Sequence, residues 1–95
     1  MNYTQLISKR ASIYQIAEKY GATRIRVFGS VARGDSDEKS DVDFLVNLEA
    51  GRSLFDLGGL QYELQESLAL PVDVVTEDGL KGDAREKILS EAKEI

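Results

Sequence analysis

Ninety-five residues, 42% hydrophobic and 31% charged, are the proportions of one small globular domain spanning 1–95, and they exclude wholesale disorder or a fibrous repeat. With no Cys and no His, the chain cannot form disulfides, thiolate zinc sites, a cysteine nucleophile or a Ser-His-Asp triad, so any metal must take oxygen ligands: magnesium, manganese or calcium. A net charge of −5 disfavours direct nucleic-acid binding, which needs a basic field.

The N-terminus, Met1-Asn2-Tyr3-Thr4-Gln5, lacks the basic-then-apolar pattern of an export signal, and no apolar run approaches the roughly 18–20 residues of a membrane span. A cytoplasmic location away from membranes is the expectation. From Thr4 to Tyr20, Leu6, Ile13, Ile16, Ala17 and Tyr20 follow helical spacing, and Gly21 sits where a helix end takes a left-handed residue. Arg24-Ile25-Arg26-Val27-Phe28 alternates polar and apolar and predicts a strand. Gly29-Ser30 breaks it, a short helix is expected over Ser30–Arg33, and Asp35–Ser40 is wholly polar and predicts a solvated loop.

A second strand is expected over Asp41–Val46. Ser53 then reads as an N-cap with Asp56 in a capping box, ahead of a helical stripe of Leu54, Leu57, Leu60, Leu64 and Leu68. Gly58-Gly59 weakens the first turns of that helix by about 1 kcal/mol per glycine relative to alanine. Pro71 ends it and opens a third strand, Val72–Val75. The tail from Asp83 to Ile95 carries Ala84, Ile88, Ala92 and Ile95 on one face and predicts a closing amphipathic helix. The sum is α+β, in the order αβ(α)βαβα: a small mixed sheet with helices packed against it.

Three acids interrupt the apolar strands. Asp41 and Asp43 flank Val42, and residues two apart on a strand share a face, about 6.5–7 Å apart along the chain. Val42 and Phe44 then point to the core while both carboxylates face away. Like charges so placed raise one another's pKa unless a cation lies between them. Asp73 repeats the pattern in Val72-Asp73-Val74-Val75 and joins the same face if its strand pairs beside the first. Taken alone, an Asp-x-Asp is more often a solvent-facing edge, and a Gly-Ser such as Gly29-Ser30 is mostly an ordinary turn. Gly29-Ser30 can also let backbone N–H groups and the Ser30 hydroxyl approach a phosphate, with Arg33 within reach or simply on the surface.

Together, Gly29-Ser30, ten further residues, Asp41-Val42-Asp43 and a later Asp73 resemble the DNA-polymerase-β-type nucleotidyltransferase superfamily. The longer match, Phe28-Gly29-Ser30-Val31-Ala32-Arg33-Gly34 through Ser40-Asp41-Val42-Asp43-Phe44-Leu45-Val46, with Val72–Asp78 and Arg85–Ala92, resembles the minimal nucleotidyltransferases (MNT) of prokaryotic HEPN–MNT toxin–antitoxin pairs. The resemblance runs from about Ile25 to the end. It implies the polymerase-β-like fold, and Mg²⁺ (two ions, with Mn²⁺ as a substitute) held by Asp41, Asp43 and Asp73. It also implies ATP phosphates on Gly29 and Ser30 with Arg33 as a helper, and Asp73 assisting the acceptor hydroxyl. The implied partner is a cognate HEPN-family RNase toxin in a hetero-oligomer, adenylylated on a Tyr. The alternative is a non-catalytic antitoxin that neutralises its toxin by masking it.

Overall fold

The alternation at Arg24–Phe28 and the two acid-bearing segments all become strands of one sheet in the computed structural model, which describes residues 1–95. The strands are β1 (Ala22–Phe28), β2 (Val42–Leu48), β3 (Val72–Thr76) and β4 (Lys93–Glu94), ordered β3-β2-β1-β4. β1 is antiparallel to both β2 and β4, while β2 and β3 run parallel. Parallel neighbours need a long crossover, supplied here by α4 (Leu54–Leu68). The other helices are α1 (Tyr3–Ser8), α2 (Arg10–Lys19), α3 (Gly29–Arg33) and α5 (Gly82–Glu91), with a 3-10 turn at Glu77–Gly79. The α+β mixed sheet with packed helices is as expected.

The core forms on one face of the sheet. Ile25 and Val27 of β1 pair with Val46 and Phe44 of β2, Val42 and Phe44 pair with Val72 and Val74 of β3, and all seven are buried. Leu6, Ile13, Ala17, Leu60, Leu64 and Leu68 from α1, α2 and α4 join the same cluster, as do Val31 and Ala32 of α3 and Ile95. Each large apolar side chain so buried contributes about 1.5–3 kcal/mol before entropy is counted. The Ser53 capping box is formed: Ser53 Oγ accepts the Phe55 N–H and the Asp56 carboxylate accepts the Ser53 N–H at 3.0 Å.

Four expectations need correction. The helix over Thr4–Tyr20 is two helices, broken at Lys9 (φ −105°, ψ 8°). Ser8 Oγ donates to the Gln5 carbonyl, the local side-chain bond that competes with a helix ladder. Leu54 is 83% exposed, so the buried stripe of α4 starts later, while the helix runs unbroken through Gly58-Gly59. Gly59 is there for space, because a Cβ would run into the Tyr20 ring. Asp41 lies just outside β2, which starts at Val42. Finally, the closing helix stops at Glu91: Ala92 is extended (φ −65°, ψ 135°), Lys93 and Glu94 pair with Val27 and Arg26, and Ile95 reaches the core from that strand. The hydroxyls of Tyr3 and Tyr14 hold this end by donating to the carbonyls of Glu94 and Ile95.

Candidate active site

β1 ends at Phe28 in extended backbone (φ −135°, ψ −171°), and Gly29 turns the chain into α3 at φ +72°, a conformation L side chains rarely adopt. Phe28 is the register partner of Asp43 on β2, so the turn rises directly beside that carboxylate. A Cβ on Gly29 would collide with Asp43 Oδ2. Glycine is therefore required here twice, by the turn and by the approach of the acid. Ser30 follows inside α3, and Arg33 ends it before Gly34 closes the helix in a left-handed cap.

Asp43 and Asp73 are direct register partners on the parallel strands β2 and β3, roughly 4.8 Å apart in the strand-to-strand direction. Asp41 lies two residues before Asp43. The conditional placement of Asp73 in the sequence is thus realised: its strand does lie beside that of Asp43. Burial raises the Asp43 carboxyl to about 6, and the charges of Asp73, Asp41 and Glu91 push it the same way while Arg33 opposes them. The side chains as placed do not close into a three-carboxylate cage. The donor set nevertheless suits a hard divalent cation, because Mg²⁺ characteristically takes one or two carboxylates and completes its shell with water and substrate phosphates. The mutual repulsion that raises Asp43 is what such a cation would relieve.

Two features of this face carry little sequence signal. Glu91, the last residue of α5, accepts the Gly29 N–H at 3.0 Å and pairs with Arg33 Nη1 at 3.3 Å. Arg33 also holds Asp35 at 3.2 Å. In the next row of the sheet, Arg26 is only 6% exposed and is held by Glu77 at 2.5 Å and Asn47 Oδ1 at 3.1 Å, leaving its Nε without a partner. Arg26 holds the Glu77 carboxyl below its ordinary pKa. The surface cavity of about 440 Å³ lies elsewhere, lined by Gln65, Glu66, Ala69, Leu70 and Pro71 at the end of α4. The carboxylate cluster lies on the sheet face away from the main core, lining no cavity of its own.

The nucleotidyltransferase domain family matches residues 12–95. A provisionally named protein adenylyltransferase of Methanocaldococcus jannaschii is 40% identical over 95 residues, covering 100% of this chain and 99% of its own. The chain belongs to the nucleotidyltransferase domain family. The protein adenylyltransferase MntA of Thermococcus cleftensis is 39% identical over 77 residues, 81% of this chain and 78% of its own. Among solved structures, a provisionally named minimal nucleotidyltransferase superposes at TM-score 0.87 with 42% identity, covering 100% of this chain and 97% of that one. A toxin–antitoxin structure with AMP-PNP shares the fold at TM-score 0.74 and 19% identity, covering 99% of this nucleotidyltransferase domain and 72% of that chain. The resemblance drawn from Gly29-Ser30 and Asp41-Val42-Asp43 is therefore correct at the level of family and fold.

Proposed function

We propose that this nucleotidyltransferase domain is an antitoxin that transfers AMP from ATP to a hydroxyl, a Tyr, of a HEPN-family RNase toxin encoded beside it, forming a hetero-oligomer with it in the cytoplasm. The observation that carries the reading is the Asp43–Asp73 pair, with Asp41 nearby and Gly29 pressed against Asp43. The names of its relatives support it: the Thermococcus protein is a protein adenylyltransferase, and the AMP-PNP structure is of a toxin–antitoxin.

Asp41, Asp43 and Asp73 would hold the divalent cation, which when bound supplies charge neutralisation of the phosphates. Gly29 N–H, the Ser30 hydroxyl and Arg33 orient the β- and γ-phosphates. The acceptor oxygen bonds to the α-phosphorus in line as the bond to pyrophosphate breaks, and Asp73 receives the hydroxyl proton. Catalysis on this reading is positioning and electrostatics, which needs neither His nor Cys. With no acceptor cavity beside the carboxylates, the partner itself presents the hydroxyl. Adenylate on a Tyr near an RNase site adds bulk and negative charge where RNA phosphates must bind.

Leu54, Phe55 and Tyr62 stand 83%, 93% and 63% exposed on the outer side of α4, an apolar surface suited to docking that partner. The same surface favours a second reading, in which the domain neutralises its toxin by masking. Incubation of the neighbouring HEPN protein with this chain, ATP and Mg²⁺ tests the first: its mass rises by one or more adenylates, and the Asp41→Ala, Asp43→Ala variant leaves it unchanged. Full protection of cells by that double variant would make masking sufficient.

A further inference from the structure

Glu91 brings a fourth carboxylate to a face already crowded with three. Its side chain is 15% exposed, its Oε1 accepts the Gly29 N–H at 3.0 Å, and its Oε2 lies 3.3 Å from Arg33 Nη1. Its charge also adds to the repulsion felt by Asp43. A carboxylate settles in such company only where anion donors hold it, and a turn amide plus a guanidinium are two of them. They are also the groups assigned above to nucleotide phosphate.

We propose that Glu91 is an internal occupant of the phosphate position, which an incoming nucleotide displaces, so that this residue sets nucleotide affinity. The inference rests on the reading of Gly29, Ser30 and Arg33 as the phosphate-binding group. Before binding, Glu91 satisfies the Gly29 amide and neutralises Arg33; on binding, phosphate oxygens take both donors. The exchange needs only rotation about the Glu91 side-chain bonds. The backbone that follows Glu91 is anchored, because Lys93 and Glu94 pair with Val27 and Arg26 and Ile95 lies in the core. Apparent affinity is lowered by the fraction of molecules in which the site is free of Glu91. Removing the competing charge therefore tightens binding, the opposite of what loss of a ligand-binding residue does.

Calorimetric titration of the whole chain tests this with two probes, Mg·ATP and Mg·tripolyphosphate, the second lacking base and sugar. Glu91→Gln, which keeps shape and loses charge, and Glu91→Ala, which removes the occupant, should each bind both probes about tenfold more tightly than wild type. Exposed Glu86→Gln on the same helix should change neither. The shared gain on tripolyphosphate locates the competition at the phosphates. Wild-type binding with unchanged or weaker affinity in the Glu91 variants, or a gain confined to ATP, overturns the assignment of Glu91. Failure of wild type and variants alike to bind either probe overturns instead the nucleotide reading on which it rests.

Discussion

On β2, Val42, Phe44 and Val46 are fully buried among the apolar residues of the helices, whereas Asp43, one residue out of step with them, stands half-buried beside Asp73. The first set gains from every neighbour it has. The second loses: burial and three nearby carboxylates all disfavour its ionised form. A face that works against the stability of its own fold is retained where a ligand reverses the balance, the usual trade between stability and function. The difference between the two faces is therefore chemical, and each can be broken separately.

The largest expected effect is on chemistry. Asp41→Ala with Asp43→Ala should lower adenylate transfer at least about a thousandfold, read by mass spectrometry of the partner, with the fold intact by circular dichroism. On the covered face, Phe44→Ala should cost about 3–5 kcal/mol in denaturant unfolding and leave any residual folded protein with its Asp43–Asp73 pair in place.

Asp43→Asn sharpens the contrast, because it should do the reverse. The unfolded chain ionises Asp43 near pH 3.8 and the folded chain only near 6, so folding binds an extra proton between those values. Stability from this group is present below about pH 4, falls as pH rises to 6, and stays low above. In metal-free buffer at pH 7–8 the Asn variant should be more stable by about 1 kcal/mol, after discount for the carboxylate's partial exposure, or roughly 4–8 °C in Tm. The gain should vanish below pH 4. A smaller effect is expected at Ser30→Ala: turnover down about tenfold with partner binding preserved, since only a hydroxyl is removed. Smallest is the pair of glycines on α4. Gly58→Ala, where a Cβ meets nothing, should raise stability by about 1 kcal/mol or less, while Gly59→Ala should lower it through the Tyr20 ring.

Period and turn chemistry carried most of the fold. The strands around Ile25, Phe44 and Val74, the Ser53 cap and the left-handed Gly21 all follow from local pattern, whereas Asp41, expected on the strand with Asp43, lies just before it. What stayed hidden depends on partners distant in sequence. Ala92 to Ile95 continue an amphipathic pattern, yet β4 exists because the edge of β1 was free to pair with it. Arg26 reads as a solvent-facing strand residue, but Glu77, 51 residues on, buries it as an ion pair. Glu91 looks like any charge on the polar side of a helix. Its meaning lies in Gly29, 62 residues earlier, and no spacing rule encodes that bond.

Titration of ATP into wild type and Asp43→Asn, each with Mg²⁺ and with EDTA, asks whether metal and nucleotide relieve the repulsion on the carboxylate face. Wild type should bind ATP only with Mg²⁺, and the Asn variant should not bind at all, although it melts at a higher temperature than wild type in EDTA. Equal ATP affinity in EDTA, or an Asn variant that binds normally or melts lower, would overturn the assignment of this face to a metal and a nucleotide.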